Sequence, residues 1–292
     1  MRSLNEINHN TKIVGVIGHP IKHSLSPMMH NYAFNKLDLD YVYLPFDIAA
    51  ANLKDALRGI VALGIKGFNV TIPHKERIVD FLDELSDGAK IVNAVNTVVN
   101  ENGKLHGYNT DVEGIFRTLE DYKDELRDST VSVIGAGGAA RSVIYTLINS
   151  FNVEKINIIN RTTEKAESLK DYFTSKMLFE KIKTYELAPP DVTEILNKSK
   201  LIVNASSIGM MPEEDDSPTT IVESFNSNQI VFDLVYNPRK TKFLAIAESQ
   251  GATILNGLKM FVEQGARAFE LWTNEKMPTD RISEILNKEP EL

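Results

Sequence analysis

Residues 131–150, VSVIGAGGAARSVIYTLINS, constrain the fold more than any other segment: an apolar run enters a glycine-rich turn and leaves as a helix. A bare glycine pattern is weak, but Gly135-Ala136-Gly137-Gly138-Ala139-Ala140 directly follows a strand and opens a helix. Glycines there let the backbone turn tightly and approach a pyrophosphate. The helix start adds free N–H groups and a partial positive charge. Ala140 stands at the third glycine position, a tolerated variant. The plainer alternative is a tight turn with no ligand.

The next strand ends in INIINRTTEK. A site for NAD favours an acidic residue here to bond the ribose 2′-hydroxyl, and the chain has Asn160-Arg161-Thr162 instead. Arginine suits a 2′-phosphate, because its fork binds two oxygens and stacks on a base, and Lys165 adds charge. The expected cofactor is therefore NADP.

Strand and helix patterns alternate along most of the chain, which calls for a mainly parallel sheet with ligands outside the carboxyl ends of its strands. Strands are expected at 12–18, 40–48 and 65–72, and later at 155–161, 199–207 and 228–236. Helices are expected at 26–37, with Ser26 as N-cap and Pro27 at the first position, and at 51–64, closed by Gly64. Further helices are expected from about Lys75 to Leu85 and over 162–176, with two more within 257–288. Residues 94–109 read as a hairpin about Asn102-Gly103, and 210–220 as an acidic loop.

With 292 residues the chain exceeds what one core usually serves, so two domains are expected. A net charge of −8 argues against a general nucleic-acid binder, and no apolar run is long enough for a bilayer. The absence of cysteine removes disulfides, thiolate metal sites and thiol nucleophiles, and fits a cytoplasmic protein. The polar start, MRSLNEINHNTK, reads as a frayed lead-in and not as a signal peptide. His19 and His23 share a metal-pair spacing, but Pro20 between them disfavours a helix and no carboxylate cluster completes a site.

Four residues near strand ends attract attention, each with an ordinary alternative. Lys75, just past Pro73, is either a solvated charge or a cation aimed into a crevice. Asp111 also suits a helix N-cap. Asn96 suits a turn, and Thr71 a strand.

Together with their surroundings these residues resemble a known family. GHPIKHSLSP, NVTIPHKE, NAVNTVV, GYNTD, GAGGAAR, NRT and DLVYNP are similar to the signature segments of shikimate dehydrogenase, in that family's order and spacing. The resemblance implies an α/β fold of two domains. An N-terminal α/β substrate domain (1–111, completed by 258–292) would precede a Rossmann-like NADP domain (112–257), with the C-terminal helices packing back on the substrate domain. It also implies NADPH-dependent, reversible reduction of 3-dehydroshikimate to shikimate. Lys75 and Asp111 would be the catalytic pair, and Ser24 and Ser26 would bind the substrate carboxylate. Thr71, Asn96, Tyr236 and Gln264 would line the same pocket. Residues 135–139, namely Gly135, Ala136, Gly137, Gly138 and Ala139, would hold NADP with Asn160, Arg161, Thr162 and Lys165. Asp87, Leu234 and Gly257 are weaker matches for the cofactor. The expected partners are the small-molecule substrate and cofactor, in a monomer or homodimer. Two rivals stay open: a quinate/shikimate dehydrogenase that accepts NAD, and a non-catalytic NADP-binding sensor.

Overall fold

The computed structural model describes residues 7–22, 24–188 and 192–288. They fall into two compact units, one of residues up to Asp111 with those from Val262 onward, the other Val112–Phe261. His23 and the first six residues of the lead-in lie outside the described residues.

The first unit contains β1 (Lys12–Gly18), α1 (Ser26–Lys36), β2 (Tyr41–Asp47), α2 (Leu53–Ala62), β3 (Gly67–Val70), β4 (Glu84–Leu85), α3 (Asp87–Val92), β5 (Thr97–Glu101) and β6 (Lys104–Tyr108). Their sheet runs β2-β1-β3-β5-β6-β4. β1 pairs parallel with β2 and β3, whereas β5 is antiparallel to β3 and β6. This sheet is therefore mixed: β4 also pairs parallel with β6, so most pairings are parallel as expected, and the expected hairpin reverses the chain inside it. Asn102 and Gly103 both take positive φ, 55° and 92°, as the two central residues of a type I′ turn require.

β1 is buried continuously from Val14 to Gly18, as a parallel strand covered on both faces should be. Leu53, Leu57 and Ile60 of α2 share one helix face and pack on Phe68, Val70 and Val98. That helix ends as Gly64 leads one to expect: Gly64 N–H bonds the Val61 carbonyl at 3.1 Å and Ile65 N–H the Ile60 carbonyl at 3.1 Å. With Gly64 at φ 67°, this is a Schellman stop.

Three local expectations fail here. The strand at 65–72 spans only Gly67–Val70, leaving Thr71 and Ile72 beyond the ladder. No α-helix covers 75–85; a 3₁₀ turn occupies Arg77–Phe81, followed by β4. Ser26 is the first residue of α1 and not its N-cap, since Leu25 already takes a helical backbone.

The second unit contains α4 (Asp111–Leu119, whose first residue, Asp111, belongs to the first unit), α5 (Lys123–Leu126), β7 (Thr130–Ile134), α6 (Gly138–Thr146), β8 (Lys155–Asn160), α7 (Thr163–Met177), β9 (Ile182–Glu186), α8 (Thr193–Asn197), β10 (Leu201–Asn204), β11 (Ile230–Asp233), α9 (Lys242–Ser249) and β12 (Thr253–Leu255). Its sheet runs β12-β11-β10-β7-β8-β9, parallel throughout. This is the doubly wound order, which reverses between β7 and β10. Leu201, Val203, Ile230 and Phe232 enter one core, while Ile202 and Val231 enter another. Alternate residues of one strand thus serve both faces. The sequence reading missed α5, β9, α8, α9 and β12.

The chain ends in α10 (Leu258–Thr273) and α11 (Thr279–Lys288). From Val262 onward these helices belong to the first unit. Trp272 Nε1 donates to the Val98 carbonyl at 3.0 Å. Phe269 stacks on Phe34 with ring centroids 5.1 Å apart. A Cβ on Gly67 would run into the Trp272 ring, so this close approach requires glycine. No helix among the described residues is long and apolar enough to cross a membrane.

Candidate active site

The carboxyl ends of β1 and β3 are stitched together by short bonds. Thr71 N–H donates to the Ile17 carbonyl at 3.0 Å, and His19 N–H to the Ile72 carbonyl at 2.9 Å. A turn follows, with His74 N–H on the Thr71 carbonyl at 2.9 Å. His74 Nε2 lies 2.7 Å from the Ile48 carbonyl, and the Lys75 carbonyl accepts from Val95 N–H at 2.8 Å. Lys75 therefore leaves a fixed backbone, and its side chain turns inward.

Lys75 Nζ lies 2.6 Å from Asp111 Oδ2, with the two side chains 17% and 4% exposed. The exposure decides the earlier alternative: this lysine is not a solvated surface charge. Asp111 is the first residue of α4, and its carboxylate faces Lys75 and Asn96. Charge-assisted bonds of this kind are roughly twice as strong as neutral ones.

Asn96 holds the other carboxylate oxygen, Oδ1, through Nδ2 at 2.8 Å. The same nitrogen is 2.9 Å from Thr110 Oγ1 and 3.3 Å from Gln264 Oε1, so two hydrogens face three acceptors. Its Oδ1 accepts from Thr110 N–H at 2.6 Å and from Thr97 Oγ1 at 3.2 Å. Behind it, Asn69 Nδ2 donates to Thr97 Oγ1 at 3.0 Å, and Tyr43 Oη donates to Asn69 Oδ1 at 2.7 Å. This buried polar chain fixes Asp111 from behind. Thr97, Thr110 and Asn69 were not singled out from sequence, although each stands inside a quoted segment.

Several polar groups of the first unit are left unspent. Lys75 Nζ gives one hydrogen to Asp111 and has no other partner among the described residues, so two N–H groups remain. The hydroxyls of Ser26 and Thr71 make no hydrogen bond with any described residue. Ser24 Oγ accepts the Ser26 amide at 3.3 Å. These groups suit a small, hydroxylated anion near the start of α1. His19 pairs with Asp47 at 2.7 Å.

In the second unit Gly135 has φ 114°, and a Cβ there would lie 3.0 Å from the Ala205 carbonyl oxygen. Only glycine meets both demands. Gly137 differs: its backbone is extended, and a Cβ would meet no protein atom within 4 Å. Internal packing does not demand glycine at 137, and the open space fits a group that must approach the backbone closely. Gly138 begins α6, with Ala139 half-buried and Ala136 packed on the core. Asn160 Nδ2 donates to the Thr162 carbonyl at 2.8 Å. Arg161 and Lys165 are exposed and make no ion pair among the described residues. Both cations are therefore left without an acidic partner among the described residues.

The remaining expected residues are distributed as follows. Tyr236 stacks on Phe261 within the second unit, centroids 4.4 Å apart. Leu234 N–H donates to the Asn204 carbonyl at 3.0 Å. A Cβ on Gly257 would collide with the Leu234 carbonyl. Asp87 belongs to the first unit, its side chain 98% exposed opposite Lys90.

Three family descriptions match successive stretches of the chain. They are the shikimate dehydrogenase substrate binding domain over residues 16–98, shikimate / quinate 5-dehydrogenase over 117–245, and the shikimate 5'-dehydrogenase C-terminal domain over 257–286. A protein from Caldanaerobacter subterraneus, named shikimate dehydrogenase (NADP(+)), is 43% identical over 284 residues, covering 97% of this chain and 99% of its own. A crystal structure of a shikimate dehydrogenase in complex with NADP⁺ superposes with a TM-score of 0.88 at 42% identity, over 96% of each chain. Another, from Listeria monocytogenes with shikimate and NAD, gives 0.85 at 40% identity, over 96% of this chain and 98% of that one.

Proposed function

The chain belongs to the shikimate dehydrogenase family, and we propose that it catalyses the reversible NADPH-dependent reduction of 3-dehydroshikimate to shikimate, towards the aromatic amino acids. NADPH, when bound, supplies the hydride. The chain's own residues manage the proton, the substrate and the exclusion of alternatives.

Reduction of a ketone leaves an alkoxide oxygen that must gain a proton, and oxidation of the alcohol must remove one. Lys75 carries that task in this reading. Two of its N–H groups are unspent, and the third is held by Asp111 at 2.6 Å; this is the observation that carries the proposal. The two groups act as a unit, because one Lys75 hydrogen is held on Asp111 Oδ2. Asn96 keeps the carboxylate aimed at the ammonium. Ser24 and Ser26 receive the substrate carboxylate, and Thr71, Asn96 and Gln264 its hydroxyls; Tyr236, of the second unit, is assigned to the substrate on resemblance alone.

Gly135, Ala136, Gly137, Gly138 and Ala139 receive the pyrophosphate, and Asn160, Arg161, Thr162 and Lys165 the adenosine 2′-phosphate. Leu234 and Gly257 complete the cofactor side. Asp87 is assigned there on resemblance alone.

The deciding experiment follows reduced-cofactor absorbance with shikimate and quinate, each with NADP and NAD. Turnover should be greatest with shikimate and NADP. Turnover confined to quinate and NAD, or none with any pairing, would defeat the assignment.

A further inference from the structure

One buried acid has no part in the chemistry above. Asp233 ends β11, has no exposed surface, and meets no cation among the described residues. Its Oδ1 accepts from Asn204 Nδ2 at 3.0 Å and from Val235 N–H at 3.1 Å. Its Oδ2 accepts from Thr241 Oγ1 at 2.6 Å. Three donors only partly offset the cost of burying such a group.

Those donors come from three separate segments. Asn204 ends β10 and organises the loop behind it: its Oδ1 accepts from Ser206 Oγ at 2.6 Å and its Nδ2 reaches the Ile208 carbonyl at 3.1 Å. Val235 lies in the loop after β11. Thr241 caps α9, accepting Leu244 N–H at 3.3 Å while its own hydrogen goes to Asp233.

Both loops bound glycines of the cofactor side. A Cβ on Gly135 would stand 3.0 Å from the Ala205 carbonyl oxygen and 3.2 Å from the Ser206 nitrogen. Gly257 N–H bonds the Val235 carbonyl at 3.1 Å, beneath the Leu234 carbonyl that excludes any side chain at 257. β7 and β10 flank the reversal of strand order, where an open parallel sheet takes its ligand.

We propose that Asp233 is a positioning residue for the dinucleotide. By tying Asn204, Val235 and Thr241 to one carboxylate, it holds the loops 204–208 and 234–241 against Gly135 and Gly257. The proposal rests on NADP binding at the glycine turn, and its test does not require turnover.

Calorimetric titration with NADP, and separately with shikimate, compares the wild type with Asp233→Ala and Asp233→Asn. Asn retains an acceptor for Asn204 and Val235 and donates to Thr241 in place of accepting. Asp233→Ala should weaken NADP about tenfold, and Asp233→Asn by less than about threefold, with shikimate affinity unchanged in both. Unaltered NADP affinity in Asp233→Ala overturns the proposal, as does equal weakening of NADP and shikimate, or an Asn variant as weak as Ala. Should Asp233→Ala fail to fold, Asn204→Ala severs the same tie from β10 and must weaken NADP selectively; wild-type affinity there overturns the proposal. A wild type that binds NADP without oxidising shikimate defeats only the assigned reaction, whereas one that binds no NADP defeats both.

Discussion

Asp233→Asn also has a thermodynamic signature, separate from any effect on NADP. Burial pushes the Asp233 carboxyl up to about 6 from 3.8, against the opposing bonds from Thr241, Val235 and Asn204. Between those two values the folded state holds more protons than the unfolded state. Stability therefore falls as pH rises through this window and levels off above it. With about 1.36 kcal/mol per pKa unit, the loss is about 1 kcal/mol at pH 4.5 and about 3 kcal/mol at pH 7.5. Asparagine does not titrate, so the variant lacks this slope. Any packing difference between the two side chains is constant with pH, and every other titrating group is present in both proteins. The stability of Asp233→Asn relative to wild type should thus rise by about 2 kcal/mol between pH 4.5 and 7.5. For a unit of this size that corresponds to roughly 4–8 °C in the difference of melting temperatures. Thermal unfolding followed by circular dichroism at both pH values measures it. A difference that stays flat, or shrinks towards pH 7.5, would show that the carboxyl is not held as the buried geometry requires.

Other perturbations address other parts of the chain. Lys75→Ala should lower kcat for shikimate oxidation by about 10²–10⁴; near-native turnover would remove Lys75 from the chemistry. Arg161→Ala should raise KM for NADP at least about tenfold and leave KM for NAD unchanged, so an undiminished preference for NADP would refute the 2′-phosphate assignment. Burial pushes the His30 imidazole down to about 3 from 6.5, and neither ring nitrogen has a hydrogen-bond partner among the described residues. Stability from the neutral ring is full above pH 6.5 and lost below it, by about 2 kcal/mol at pH 5. His30→Phe keeps a ring against Tyr43, 4.4 Å away, and should abolish that acid slope; identical slopes for the two proteins between pH 7.5 and 5 would refute it.

The glycine turn was legible because strand, turn and helix are all local, and φ 114° at Gly135 admits almost nothing else. The hairpin and the Gly64 stop were legible for the same reason. The stretch 75–85 was misread because its decisive partners are distant. Ile78, Phe81, Leu82 and Leu85 have a helix-like spacing, yet Asp83 bonds Leu105 through backbone N–H at 3.0 Å and through its carboxylate at 2.7 Å. Pairing with β6 pulls Leu82 into an extended backbone and leaves only the 3₁₀ turn. Tertiary pairing outweighs a weak local preference.

The candidate site divides along the same line. Lys75 and Asp111 carry visible charges at segment ends, so their residue types alone raised the question of a crevice. What fixes them does not show: Asn96 meets Gln264 across 168 residues, and Tyr43 reaches Asn69 across 26. Asp233 was hidden more deeply. It stands inside the expected strand 228–236, where nothing local marks its partners, and the tyrosine of DLVYNP draws the attention. Only the fold places Asn204, Val235 and Thr241 around that carboxylate, from segments the sequence keeps apart.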